Sequence, residues 1–513
     1  MENQDISRDH APACQAYVPD SDDVSMVFLY WRGDARMNTK KLGLPSVIAT
    51  GVGLIVATSC LMSLGQGAGA VGISFIIAML IACAINIITA LSLAELNALM
   101  PDLTGGLAQY TLATLGPFVT IITMVGGYLV CNTIAGSVEC AMFGNTMVTV
   151  FGGKVPSSVY CVVLLLLLIA ANLNGIDMFA KIQDVVAYGL IGSVVLMGLI
   201  GALRLGTGKV VRQPLVLTSD PKTVFSMVGL AFFLFLGCEF VIPISKNVKN
   251  ARKTIPLGMI LSLLIVCGME ILVVLGMHNY TAWGKLASSA SPHIYYGVHL
   301  LGNAGRIWMA LVSVFAVIST VNSVISSLAY ICAGMAKIGL LPEIFMHRNK
   351  KGAPHVGILL IGGSMVLINA MGLSNTSQLS NLILIGCFFW MMAYALSNAN
   401  VLIFRARLPK APRTFRVPLG PVLPLIGIAG NVFMMGNISS DPSARSMIYR
   451  VVLLTFIVLA IYAAVWTKRV MHLPLCKPIR IEHVMAMENE MYGRVRRRRN
   501  AKRKEAVATA QAE

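Results

Sequence analysis

The chain has 513 residues, 56% of them hydrophobic and only 12% charged, with a mean hydropathy of +0.76. A soluble protein of this length could not keep that much apolar surface dry, and the apolar residues come in blocks of about 20, the length that crosses ~30 Å of hydrocarbon. The formal net charge of +18 lies in loops and one tail without interleaved aromatics, which argues against a nucleic-acid binder and leaves a polytopic membrane protein.

In chain order, residues 1–41 are polar and acidic (SDDV, Ser21 to Val24) and are expected to form a disordered segment on the cytoplasmic side. No signal peptide is expected in them. The run MNTKKLGLPS from Met37 reads as a plausible native start; a native protein whose N-terminal sequence began at Met1 would exclude that. Twelve spans follow, at about 44–64, 73–95, 117–148, 157–173, 182–205, 224–245, 256–277, 305–336, 355–373, 379–403, 418–437 and 446–467. The first holds Gly51, Gly53, Thr58, Ser59 and Gly65, and the sixth holds FLFLGCEFVIP, Phe233 to Pro243. Both look interrupted, and they lie five spans apart. That pattern suits two five-helix halves of opposite orientation, 42–205 and 224–405, each led by a broken helix. Such a break is tolerated only where the freed N–H and C=O groups line a cavity. Spans eleven and twelve, 417–467, are then peripheral, and 468–513 is a cytoplasmic tail.

Lys246, Lys249, Arg252 and Lys253 follow the sixth span, Lys337, Arg348, Lys350 and Lys351 the eighth, and Arg405, Arg407, Lys410, Arg413 and Arg416 the tenth. The positive-inside rule puts both termini in the cytoplasm. Arg204, Lys209, Arg212 and Lys222 fall on the other side, the one loop that disagrees. The tail run RVRRRRNAKRK, Arg494 to Lys504, suits anionic lipid headgroups. Most of the eleven cysteines lie singly inside spans, and the eight histidines fall in loops, tails or span ends. No disulfide framework, metal site or cofactor is expected.

Three separated motifs resemble those of the amino acid–polyamine–organocation permeases: AELNALMPDLTGGLAQYTLATLG (Ala94 to Gly116), FLGCEFVIPISKNVKNARKTIPLGMI (Phe235 to Ile260) and ICAGMAKIGLLPEIF (Ile331 to Phe345). The resemblance covers residues 42 to about 410. It implies an all-α fold of twelve transmembrane helices, a LeuT-like 5+5 inverted repeat with broken helices one and six. It also implies a secondary transporter in the plasma membrane, symporter or antiporter, that moves amino acids or related small amines by alternating access. A coupling proton, sodium ion or exchanged solute accompanies the substrate.

By the same resemblance, the first-span positions Ala57, Thr58, Ser59 and Cys60 offer N–H groups to a substrate carboxylate at a half-helix N-terminus. The family's Gly-Ser-Gly is here Ala-Thr-Ser, which puts that grip in doubt. Leu236, Gly237 and Cys238 sit at the sixth-span break, whose carbonyls suit a substrate ammonium, and Phe233 and Phe235 flank it as aromatic gates. Glu239 matches the glutamate that acts as a proton-sensitive switch in an antiporter relative. A carboxylate at that depth costs at least ~2.5–3.5 kcal/mol, so it should face the bundle interior. The alternative is a glutamate bonded to a neighbouring helix.

Asn132, Gly136 and Glu139 share one face of the third span by their spacing, and a second carboxylate there suits a cationic substrate. Glu270 in the seventh span is a weaker candidate. Ser319, Asn322, Ser323 and Ser326 form a polar stripe on the eighth span; Ser319 and Thr320 are possible sodium ligands with first-span carbonyls. Some relatives carry a fifth-span lysine that replaces sodium. Here the pair Gln183-Asp184 matches, but the lysine position is Leu190. A membrane-embedded enzyme is disfavoured, since no Ser/His or Asp/Asp set lies at mid-membrane. A transporter-like sensor, or a permease dedicated to amines such as ethanolamine or polyamines, stays open as an alternative.

Overall fold

The computed structural model describes residues 41–487 except 101–102, 104–105, 152–154, 217–219, 290, 373–378, 412, 414 and 440. The expected N-terminal segment, apart from Lys41, and the basic run Arg494 to Lys504 lie outside the described residues. What is described is almost wholly helical. Eight helices are long and apolar enough to cross a bilayer, nine with one bent pair, and three shorter apolar helices accompany them.

The bent pair comes first: α1 (Leu44–Ile55) and α2 (Thr58–Val71) meet at 59°. Then follow α3 (Phe75–Leu99) and the short α4 (Leu107–Leu115). Next is a continuous rod of α5 (Pro117–Ile121), a π-helical stretch (Ile122–Val130) and α6 (Cys131–Phe151). The sequence reading gives that rod no irregularity. The π-helical stretch brings Gly126 and Gly127 to its neighbours: a Cβ would stand 2.5 Å from a Leu459 methyl and 3.1 Å from the Phe389 carbonyl. Side-chain-free positions there let the rod approach closely.

α7 (Ser157–Leu173) and α8 (Ile176–Ala202) follow. The loop after α8 is strapped down. Val211 N–H donates to the Asn279 carbonyl (2.8 Å). The Gln213 amide donates to the carbonyls of His278 (2.8 Å) and Thr281 (2.6 Å), and Trp283 Nε1 donates to the Pro214 carbonyl (2.9 Å). The sixth span is α9 (Pro221–Ser226) and α10 (Val228–Phe233), then a break, then 3-10 turns at Cys238–Val241 and Ser245–Asn247. The second half is thus no α-helix. Its bonds run from Phe240 to Gly237 (3.2 Å), Ile242 to Glu239 (2.9 Å) and Ser245 to Ile242 (3.0 Å), and Pro243 has no N–H to give.

Asp220 caps α9. Its carboxylate accepts from the Thr223 hydroxyl (2.8 Å) and from the N–H groups of Lys222 (3.1 Å) and Thr223 (3.2 Å), and these bonds, the Thr223 hydroxyl first, hold its pKa below the ordinary aspartate value. A lowered pKa means the cap's support is present above the ordinary value and fades as pH falls through the lowered one. An NMR titration should find Asp220 below the aspartates of the unfolded chain; an ordinary value would contradict the capping geometry.

α11 (Ala251–Tyr280) packs on α8, α1 and α3. The short α12 (Trp283–Ser288) precedes α13 (Pro292–Lys337), which bends at Leu301–Gly302, where Gly302 has φ +62°. From Ser319 to Ala336 every side chain of α13 is buried, so this helix runs through the middle of the bundle. α14 (His355–Ala370), α15 (Leu379–Arg407), α16 (Val422–Gly436) and α17 (Pro442–Val465) complete the spans. α17 exposes Leu453, Leu454, Val458 and Ile461, a stripe at helical spacing that suits lipid.

Two ties close the bundle. Leu42 N–H donates to the Asn247 carbonyl (2.8 Å) and Lys249 N–H to the Leu42 carbonyl (2.9 Å), which joins the approach to α1 to the end of the sixth span. After α17 the chain returns as a strap to α18 (Ile481–Met487). Phe118 N–H donates to the Leu475 carbonyl (3.1 Å) and Ile479 N–H to the Leu112 carbonyl (3.2 Å). Gly116, at φ +86°, makes room, since a Cβ there would lie 2.8 Å from the Lys477 carbonyl oxygen.

Candidate functional site

The break in the first span is two residues long. Val56 (φ −84°, ψ 82°) and Ala57 (φ −92°, ψ 165°) leave the helical region, and Ala57 has no side-chain oxygen with which to cap α2. The cap comes from another helix instead. Glu139 of α6 accepts from Thr58 N–H at 2.9 Å and from Ser59 N–H at 3.2 and 3.4 Å. The Thr58 hydroxyl donates to the Ser313 carbonyl (3.1 Å) and the Cys60 thiol to the Ile55 carbonyl (3.0 Å). The N–H groups expected to meet a substrate carboxylate therefore already hold one, supplied by the chain itself.

The sixth-span break faces the first. Gly237 has φ +116°, and a Cβ there would come within 2.4 Å of a Leu54 methyl, so only glycine fits at the crossing. Its N–H donates to the Tyr394 hydroxyl (3.3 Å). Phe235, Leu236 and Cys238 are buried around it, and the Phe233 carbonyl lies 3.8 Å from the Cys60 thiol.

Glu239 is fully buried, at 0% exposure. Trp390 Nε1 (2.6 Å) and the Tyr128 hydroxyl (3.2 Å) donate to Oε1, and the Tyr394 hydroxyl donates to Oε2. Tyr128, Phe240 and Trp390 close round it with ring centroids 5.6–6.0 Å apart. The carboxylate is thus joined to the third and tenth spans by direct bonds. Sequence reasoning missed Tyr128, Trp390 and Tyr394. The four-residue spacing of Trp390 and Tyr394, which puts both on one helix face, was the available signal.

The third-span face divides. Glu139 reaches the break, but the Asn132 amide is spent on the Gly127 carbonyl of its own rod (3.4 Å). Gly136 points elsewhere: a Cβ there would lie 2.5 Å from the Met365 methyl, so it serves helix packing rather than the break. Glu270 is buried, and its Oε2 has no hydrogen-bond partner.

Ser319 and Thr320 do meet the first span, but with their hydroxyls engaged. Thr320 donates to the Gly53 carbonyl (3.1 Å). The Gln183 amide donates both to Ser319 Oγ (2.7 Å) and to the Ala49 carbonyl (3.2 Å), and accepts from the Asn322 amide (3.3 Å). Gln183, noted in the sequence only as a marker for a missing lysine, bridges α1, α8 and α13. Gly53 is what admits it: a Cβ would stand 1.9 Å from Gln183 Nε2 and 2.1 Å from Ser319 Oγ. Gly53→Ala is expected to cost about 1–3 kcal/mol by overpacking. Thermal unfolding in detergent measures it, and an unchanged midpoint would show that Gln183 can move aside.

Two clefts, of about 440 and 550 Å³, lie apart from both breaks, one along Gly436–Leu453 and one beside Arg204, Arg212 and His278. No cluster of three His, Cys, Asp or Glu that could hold a metal occurs among the described residues.

Comparison with known proteins adds three kinds of finding. The family model described as amino acid permease matches residues 42–462. The branched-chain amino acid permease BcaP of Bacillus subtilis is 23% identical over 80% of this chain and 90% of its own. The methylthioribose transporter of the same organism is 26% identical over 75% and 84%, and its serine/threonine exchanger SteT 23% over 78% and 91%. Among solved structures, a manganese transporter variant from Eremococcus coleocola superposes with a TM-score of 0.55 over 89% of this chain and 98% of its own, at 14% identity, which speaks to the fold alone.

Proposed function

The chain belongs to the amino acid permease family, and from that premise we propose that it is a secondary transporter of amino acids or related small amines, working by alternating access across the plasma membrane. It is a multi-pass membrane transporter rather than an enzyme. The observation that carries the finer reading is the pair of facing breaks. The first span bends by 59° at Val56-Ala57, and Leu54, just before it, rests on Gly237 in the sixth. Released backbone groups at mid-membrane form a polar point that a small charged solute can use.

Twelve spans in two inverted halves, 42–205 and 224–405, account for this pairing, with 417–467 at the side and both termini in the cytoplasm by the placement of basic residues. Ala57, Thr58, Ser59, Cys60, Phe233, Phe235, Leu236, Gly237 and Cys238 surround the solute. Glu239 is the proton-coupling group: it has three donors that can follow its charge, and its bonds reach two other spans. Sodium at Ser319 and Thr320 is disfavoured, since the Gln183 amide already bridges that point.

The test is counterflow. Purified protein in liposomes preloaded with an amino acid and amine panel should accumulate labelled solute of one kind, faster across a proton gradient and equally well with sodium or choline outside. Failure to exchange any amino acid or amine in the panel would overturn the transport reading.

A further inference from the structure

The strongest unexplained feature is a negative charge where the family role leaves room for the substrate's own. α2 is a 14-residue helix whose first N–H groups converge on Glu139. A helix N-terminus favours an anion, and this one holds an anion covalently attached to the chain. Glu139 is 3% exposed, and no Lys, Arg or His forms an ion pair with it among the described residues. His293, the buried histidine nearest by bonding, is turned to Ser313 Oγ (2.8 Å) instead.

A second carboxylate strengthens the point. Glu270 is 2% exposed, and its Oε2 is a buried acceptor without a donor. Cys60, the third residue of α2, lies within electrostatic reach of both Glu270 and Glu139. Around the same thiol stand the carbonyls of Ile55 (3.0 Å) and Phe233 (3.8 Å). Two carboxylates and two backbone oxygens thus lie near one thiol, and neither carboxylate is ion-paired with a side-chain cation among the described residues. A buried carboxylate of this kind is expensive in its charged form unless a positive charge or a proton completes it.

We propose that the solute of this site is an amine without an α-carboxylate, its ammonium received at the carbonyls of Ile55 and Phe233 beside Cys60, while Glu139 fills the place at the α2 N-terminus that an amino acid's carboxylate needs. The inference rests on the transport reading above and names its substrate class. A zwitterionic amino acid would bring a second carboxylate against the N–H groups of Thr58 and Ser59, and two like charges cannot both sit there at hydrogen-bond distance. A decarboxylated amine meets no such conflict. It needs only acceptors, and the two backbone carbonyls beside Cys60 supply them. The loss of glycine at Ala57 and Ser59 fits the same account, since no external carboxylate has to approach that backbone.

Matched pairs test it: lysine with cadaverine, serine with ethanolamine, valine with isobutylamine. Binding to the purified full chain is read by thermal shift and by competition against the tightest amine. In the native protein the amine of at least one pair should bind ten-fold or more tightly than its parent amino acid. In Glu139→Ala, which frees both N–H groups, that preference should shrink ten-fold or reverse. Glu139→Gln, which keeps the size and one acceptor, should fall between the two. The proposal is overturned if the native protein prefers the amino acid in every pair, or if Glu139→Ala leaves the preference unchanged. Should the alanine variant not fold, the native preference and the glutamine variant decide. Amino acids that bind and exchange would leave the transport reading standing and remove the amine class; a chain that binds neither series would take down both.

Discussion

Glu239→Ala is expected to lower stability by about 3 kcal/mol or more and to abolish solute-coupled proton movement. The substitution orphans three buried donors at once: the Tyr128 hydroxyl, Trp390 Nε1 and the Tyr394 hydroxyl. Each buried donor left without an acceptor costs about 1–3 kcal/mol, and no water-facing route is at hand, since Tyr128 and Tyr394 are 0% and 1% exposed. Glu239→Gln separates the structural role from the coupling role. The carboxamide keeps one acceptor oxygen and fills the same space, so the loss of stability should be nearer about 1 kcal/mol. It cannot exchange a proton, so the pH dependence of counterflow should flatten. A glutamine variant with the native pH profile would leave Glu239 as a structural anchor only.

Glu95→Ala should be as damaging, with no direct effect on the site. Glu95 closes the end of α3. Arg405 donates to it through Nε (2.9 Å) and a terminal nitrogen (2.5 Å), Arg413 pairs at 3.4 Å and Val417 N–H donates at 2.8 Å. The carboxylate is 2% exposed. Removing one partner of a buried ion pair costs about 3–5 kcal/mol because a charge is left behind without its counterpart. Arg405 is 21% exposed and can turn to water, whereas Arg413 is only 2% exposed, so the lower end of that range is the expectation. Glu95→Gln keeps one acceptor oxygen of the two that are in use and should recover about half. A loss under about 1 kcal/mol in detergent unfolding would show that the arginines find other partners.

The two breaks could be read from the sequence because they are local. Ala57-Thr58-Ser59 and Gly237 lie in runs where glycine or hydroxyl residues interrupt a long apolar segment, and a helix interruption leaves that mark in a few residues. Glu239 stands out for the same reason, as a carboxylate in an apolar run. What the chain order hides is partnership. Glu139 and Thr58 are 81 residues apart, and nothing in the third span says that its carboxylate reaches past its own helix face. The same holds for Gln183, visible only as a neighbour of a missing lysine until α8 is set against α1 and α13. Glu95 sits in a recognisable motif, yet its purpose appears only beside Arg405 and Arg413. Irregular helices were hidden for a different reason. The π-helical Ile122–Val130 and the 3-10 turns after Gly237 follow from what packs against them, and composition alone does not distinguish them from ordinary helix.

The strap that returns from α17 to α4 sets an order of events during synthesis. Leu112 offers its carbonyl to Ile479, a partner the ribosome makes roughly 370 residues later. At ~5–20 residues per second that is roughly 20–70 s, during which α4 is inserted beside finished spans but lacks its outer cover. A ribosome stalled or a message cut short before that point yields a bundle with all its spans and one unclasped corner, a natural handle for quality-control proteases.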